Sequence, residues 1–385
     1  MCKPTSSSES SGPDHMETAA FPDFAALESY LHGLGLFRML PGLDRMHTML
    51  ERLGLQRPPY CVIQIVGTNG KGSTSTMMAT LAEAHGLLAG LHTSPHFSSV
   101  RERVRLNGEP LDEERWRCLG NTLMRHGGRE LSYFEFVTCL AVLAFAEAGA
   151  DIAIMETGLG GSYDATTALA ADLVVYTPIG LDHQNILGPF LKDIATDKAG
   201  AIRAGVPVVS CAQRPEAMEQ ITRISAERAA PLYEILAAEP VPDQQRYPLR
   251  LHGGHQLENA RLALAAWRHI RNSGPLSATG RKKIAAALRA FGEETLEGRA
   301  VARAWLPGRL QEIAPVTADA WRTTAGTGAK DAYMPCPLGW PPLLLDGAHN
   351  SHGLAALGHA LARSHIAPSA VIFACLADKD PQQML

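Results

Sequence analysis

The chain has 385 residues, 46% of them hydrophobic and 19% charged, with a formal net charge of −4. These are ordinary values for a folded enzyme, and the slight acidic excess gives no support to nucleic-acid binding. No apolar run reaches the roughly eighteen residues a membrane helix requires, and the amino terminus lacks a charged-then-apolar signal pattern, so the reading is a cytoplasmic protein with no membrane partner.

Residues 1–20 open the chain as a tail. Ser6-Ser7-Ser8 and Ser10-Ser11-Gly12-Pro13 give it too little apolar content to offset the entropy of ordering, and it is expected to be mobile. Apolar residues then recur at helical spacing over 24–31 and 43–53. Residues 61–66, Cys-Val-Ile-Gln-Ile-Val, form an apolar strand that runs into Gly67-Thr68-Asn69-Gly70-Lys71-Gly72-Ser73. Glycines in such a turn let backbone N–H groups converge on phosphate oxygens; Lys71 adds a point charge, and Ser73 can hold the magnesium that accompanies ATP. The fit to the common P-loop is imperfect, with Ile65 where that pattern has glycine and Gly72 where it has a hydroxyl. A lysine at a helix start nevertheless opposes the helix dipole unless an anion is bound there.

Apolar strands at 151–155, 172–176 and 206–210 alternate with helical segments, which predicts a parallel sheet covered on both faces. Polar residues at the carboxyl ends of those strands, Glu156 and the stretch from Thr177 to His183, then gather near the glycine turn. Glu156 ends its strand, and a carboxylate so placed calls for a cation. Taken alone, His183 reads as structural and Ser94 as a turn cap. Lys198, within a helix over 193–202, reads as a solvated charge. Asn259 reads as the polar face of a helix over 259–270, Phe134 as core and Arg309 as surface. Seven cysteines, without a Cys-x-x-Cys pair, point to buried free thiols. At this length two domains are expected, 21–300 and 303–385. In the second, strand 343–345 ends at Asp346, 315–342 reads as a long loop, and strand 370–375 leads into Leu376-Ala377-Asp378-Lys379-Asp380. The chain stops five residues later, so this domain reads as incomplete.

The glycine turn resembles the nucleotide loop of the folylpolyglutamate and dihydrofolate synthases, within the murein-ligase superfamily. The resemblance recurs in order: Thr93-Ser94-Pro95-His96 with Glu102-Arg103, Tyr133-Phe134-Glu135, Glu156-Thr157-Gly158-Leu159-Gly160-Gly161, Asp182-His183, Asp197-Lys198-Ala199-Gly200, Leu306-Pro307-Gly308-Arg309, and Asp346-Gly347-Ala348-His349-Asn350. It implies an α/β fold with a parallel-sheet P-loop ATPase domain, followed by a smaller, truncated Rossmann-like domain.

By that resemblance ATP would meet Asn69, Gly70, Lys71, Gly72, Ser73, Asn259, Arg309 and Asp346. Two magnesium ions would be held by Ser73, Ser94, Glu156, His183 and a carbamylated Lys198, with Lys71, His183 and Lys198 as the catalytic group. A pterin or folate would lie on Gly42, Leu43, Asp44, Ser132, Phe134, Asp164 and Ala165. The implied reaction joins L-glutamate to dihydropteroate, a reduced folate or both through an acyl phosphate, in a monomer. Departures from the family pattern are Asp197 for glutamate, Ser351 for proline, and Ser162 and Thr167 for an arginine and an asparagine. The last two leave open a ligase with another acid, and the early stop leaves open a nucleotide-binding remnant without ligase activity.

Overall fold

The computed structural model describes residues 20–36, 40–235, 239–313 and 342–375. The expected amino-terminal tail, almost all of the 315–342 loop and the 376–380 motif lie outside these residues. Eight strands form the main sheet: β1 (Cys61–Val66), β2 (Ala89–His92), β3 (Val104–Leu106), β4 (Glu109–Pro110), β5 (Ile152–Glu156), β6 (Leu173–Tyr176), β7 (Val208–Ser210) and β8 (Leu232–Glu234). Their spatial order is β4-β3-β2-β5-β1-β6-β7-β8. The six strands from β2 to β8 in that order run parallel, and β3 and β4 extend the sheet antiparallel.

The pattern of β1 shows why its sequence is apolar almost throughout. Val62 and Val66 belong to one core layer, and Cys61, Ile63 and Ile65 to the other. Successive side chains alternate between faces, and helices cover both. On the first face lie Phe24–Leu34, Asp44–Arg52, Glu113–Arg125, Tyr133–Ala148, Leu191–Ala199 and Pro215–Glu227; on the second lie Lys71–Ala84, Gly254–Ser273, Ala278–Phe291 and Glu293–Arg303. The second core layer continues through Ala304. Among the described residues no helix is long and apolar enough to cross a membrane.

The carboxyl-terminal part holds an antiparallel pair, β9 (Gln311–Ile313) with β10 (Leu343–Leu345), and the helix Ser351–Arg363. The strand expected over 370–375 is corrected here: these residues are irregular, and Ile372 is fully exposed. An apolar run becomes a strand only when a neighbour satisfies its backbone, and no strand pairs with it among the described residues.

Gly90 of β2 lies against the Phe145 ring, so that a Cβ built there would be 2.6 Å from Cγ. Backbone and aromatic ring fill that space completely. Gly90→Val is therefore expected to lower unfolding stability by about 1–3 kcal/mol through overpacking. Urea titration would show this, and adding Phe145→Leu should recover part of the loss.

Candidate active site

Parallel pairing brings three strand ends together. Beyond the ladder, Thr157 donates its amide to Ile65 O at 3.0 Å and Thr177 donates to Val66 O at 2.8 Å. The first residues past β5, β1 and β6 thus stand side by side. The turn after β1 enters the helix Lys71–Ala84 at Gly70, which has φ +86° and lies directly against the Asn259 amide. Any side chain at Gly70 would be strained and would displace Asn259. The Lys71 ammonium donates to Thr68 O at 3.2 Å, folding back over the turn.

A cleft of about 360 Å³ opens above these ends. Its lining includes every residue expected at the nucleotide and metal: Asn69, Gly70, Lys71, Gly72, Ser73, Ser94, Glu156, His183, Lys198, Asn259, Arg309 and Asp346. They come from positions as far apart as 69 and 346 in the chain.

Glu156 is 3% exposed, so its carboxylate is shielded from solvent. Its Oε2 accepts the Ser94 amide at 3.0 Å. Burial raises its pKa, opposed by the Lys71 cation and the Ser94 amide. Lys198 is 4% exposed, so it is no solvated helix charge either. It donates from Nζ to Gly67 O at 3.0 Å. Burial, reinforced by the Lys71 cation, lowers its pKa to about 7 against the pull of Asp197 and Asp182. The backbone of Lys198 also lies so close to Gly161 that a Cβ there would collide with it.

Asp182 is buried and accepts the His183 amide at 2.8 Å and the Asn350 side-chain amide at 2.8 Å. His183 Nε2 lies 3.9 Å and His349 Nε2 3.7 Å from its carboxylate oxygens. Asp346 accepts the amides of Leu310 and Ala348, each at 2.8 Å, and so ties the Arg309 turn to the segment after β10. Asn259 donates to Gln256 Oε1 at 3.0 Å. A neighbouring buried arginine, Arg103, donates to His96 Nδ1 at 2.8 Å and sits 5.2 Å over the Tyr133 ring.

The residues expected at the pterin do not line this cleft; of them, Phe134 and Asp164 touch Gly158, which does. Ser132 caps Tyr133–Ala148 in a reciprocal box with Glu135, and Glu135 pairs with Arg45 at 2.9 Å. Gly42 and Leu43 precede the helix that begins at Asp44. Phe134 packs on Gly158 and on the His92 ring, 5.5 Å between centroids. Asp164 is buried and accepts the amides of Gly158, Leu159 and Thr166 at 2.9–3.0 Å, while Ala165 begins the short helical turn that follows.

At the two departures, Ser162 donates to Asp197 O at 2.9 Å, while Thr167 accepts from the buried Gln64 amide at 2.6 Å and donates to Gly161 O at 2.7 Å. Sequence reasoning missed Gln64, His352, which lines the cleft with Nδ1 2.9 Å from Asn69 Nδ2, and the amide pairing of Asn69 with Asn350. Gln64, a lone polar residue in an apolar strand, was the one visible signal.

The donor set suits magnesium. That ion dehydrates reluctantly and is usually held by one or two carboxylates together with substrate phosphates. The buried carboxylate of Glu156, sharing the cleft with the Ser73 and Ser94 hydroxyls, meets this need. Among the described residues no group of three or more His, Cys, Asp and Glu side chains forms an all-protein metal cage.

The Lys198 shift has a consequence for stability. With a folded pKa below its unfolded value, the unfolded chain binds more protons between about pH 7 and the ordinary lysine range, so stability rises with pH across that window. Lys198→Met removes the buried charge. Its stability gain over wild type should be largest near pH 6 and shrink by a few kcal/mol towards pH 10 in chemical denaturation.

No protein-family model matches the chain. The dihydrofolate synthase/folylpolyglutamate synthase of Bacillus subtilis is 31% identical over 397 aligned positions, covering 95% of this chain and 82% of that protein. Among solved structures, Escherichia coli FolC in complex with DHPP and ADP superposes with a TM-score of 0.69 at 29% identity, covering 91% of this chain and 76% of that one. The bifunctional folylpolyglutamate synthase/dihydrofolate synthase of Yersinia pestis, complexed with AMPPNP and Mn, gives a TM-score of 0.69 at 30% identity, covering 89% and 76%. Likeness of fold alone could arise between unrelated enzymes, but 31% identity spanning 82% of a relative reflects common descent: the chain belongs to the dihydrofolate synthase/folylpolyglutamate synthase family.

Proposed function

We propose that this chain is an ATP-dependent ligase that joins L-glutamate to dihydropteroate, to a reduced folate, or to both. The observation that carries the reading is the cleft itself, where a glycine loop, Lys71, buried Glu156 and buried Lys198 converge. ATP would transfer its terminal phosphoryl group to the substrate carboxylate, giving an acyl phosphate and ADP. The glutamate amine then attacks the acyl carbon, and phosphate leaves as the amide forms.

Each residue would have a distinct part in this chemistry. The backbone amides of Asn69, Gly70, Gly72 and Ser73 would receive phosphate oxygens at the start of the helix, with Lys71 balancing their charge. Asn259 would meet the base, Asp346 the ribose, and Arg309 the phosphates. Ser73, Ser94 and Glu156 would hold one magnesium ion; His183 with a carbamylated Lys198 would hold a second. Ions bound there would offset charge on the transferring phosphoryl group. Carbamylation consumes a neutral amine, and Lys198, with a pKa of about 7, supplies one near neutral pH. Closure of residues 303–385 over an ATP-binding unit of 21–300 would exclude water and protect the acyl phosphate. Gly42, Leu43, Asp44, Ser132, Phe134, Asp164 and Ala165 are proposed to shape the wall behind the pterin. Among the described residues the thiols of Cys61, Cys139, Cys211 and Cys375 are not in disulfides, in agreement with a reducing, cytoplasmic setting, and a monomer is proposed.

The decisive assay incubates purified protein with ATP, magnesium, glutamate and either dihydropteroate or tetrahydrofolate, following product mass and phosphate release. Glutamylated product with at least one acceptor is expected; phosphate release without product would overturn the reading. Glu156→Gln should lower kcat by about 100-fold or more while leaving the fold intact. Intact-mass measurement with labelled bicarbonate should detect a label on wild type that Lys198→Arg lacks.

A further inference from the structure

The side chain of Asn350 uses its whole hydrogen-bonding capacity. Its Oδ1 accepts the Gly353 amide at 2.8 Å and the Asn69 Nδ2 at 3.2 Å. Its Nδ2 donates to Asn69 Oδ1 at 3.1 Å and to Asp182 Oδ2 at 2.8 Å. Two acceptances and two donations saturate a carboxamide, and the residue is 3% exposed. Only the first of these bonds is the ordinary duty of a helix N-cap, a duty that aspartate, serine or threonine performs as well. The other three reach 281 and 168 positions back along the chain, to the nucleotide loop and to the turn that carries His183.

We propose that Asn350 is a positioning residue that couples the seating of the carboxyl-terminal segment to the alignment of the nucleotide loop and the Asp182–His183 turn. The proposal rests on the ligase reading above for its effect on turnover. When Ser351–Arg363 docks, the paired amides fix Asn69 beside Gly70, and the bond to Asp182 fixes the carboxylate against which His183 is held. If the segment lifts away, both are released together. Aspartate cannot donate, so it keeps the cap and loses the couplings to Asp182 and to Asn69 Oδ1. The helix-capping and positioning roles are therefore separable by substitution.

The test compares wild type, Asn350→Asp, and the exchange Asp182→Asn with Asn350→Asp. The single variant sets a carboxylate beside the Asp182 carboxylate; the exchange restores a donor facing an acceptor and leaves the helix cap in place. In the single variant, kcat is expected to fall about tenfold or more while ADP affinity, measured calorimetrically, stays within about threefold of wild type. The exchange should recover part of the lost kcat at most, because it also removes the carboxylate against which His183 is held. Amide hydrogen exchange over 67–70 and 182–183 should rise together in the single variant; the exchange should restore protection over 182–183, and over 67–70 only in part, because a carboxylate at position 350 still cannot donate to Asn69 Oδ1.

An unchanged kcat and unchanged exchange in Asn350→Asp would overturn the proposal. So would a rise in exchange over 182–183 that the double exchange leaves uncorrected while both proteins melt like wild type. Hydrogen exchange does not depend on turnover, so a wild type that makes no glutamylated product counts against the ligase reading alone.

Discussion

Parallel pairing of β1 with β5 on one side and β6 on the other is the constraint on which the site depends, because it sets three loop starts in register. Ile65 pairs with Glu156, and Val66 pairs with Tyr176. The glycine turn, the Glu156 carboxylate and the Thr177–His183 stretch are therefore neighbours by construction. A one-residue slip would send Gln64 to the wrong layer and turn Glu156 away from the cleft. Apolar burial on both faces of β1 holds that register, so the packing of the core and the position of the chemistry are one fact.

Several ionisable groups are buried at this junction, and burial of charge is unfavourable unless it is compensated. Glu156 receives one amide and the field of Lys71; Lys198 donates to a carbonyl and is partly neutral near pH 7. Such a site is less stable than an apolar one of the same shape. It is also preorganised: fixed charges in a low-dielectric cleft act strongly on a phosphoryl group without reorganising during the reaction. The carboxyl-terminal segment adds Arg309, Asp346 and Asn350 from the far side, held through backbone amides and one saturated carboxamide.

Polar residues behind the cleft illustrate how similar side chains divide between chemistry and scaffolding. Asp164, expected at the pterin from the family resemblance, gathers with its carboxylate the amides that shape the Gly158–Leu159 turn. Thr167 is joined to Gln64 within the core, and Ser162 to the end of the helix that carries Lys198. These two departures from the family pattern thus occupy anchoring positions, with small hydroxyls bonding to backbone or buried amide groups.

Much of the fold was legible in the sequence, since continuous apolar strands between helical segments follow from burial on both sheet faces. The glycine turn and strand-end carboxylate were legible for the same reason: they sit where local backbone geometry dictates glycine and where a strand must end. Lys198 and His183, read alone, looked like a surface charge and a structural histidine. Nothing local marks a side chain as buried when its burial comes from residues far away in the chain. The strand expected over 370–375 failed because strand formation needs a partner, which periodicity does not supply. The sequence by itself determined the parallel α/β core and the glycine turn after β1, because both follow from local pattern and backbone sterics. Only the tertiary structure decided that Lys198 is buried against Gly67 and that Asn350 meets Asn69 and Asp182, because those contacts arise from long-range packing.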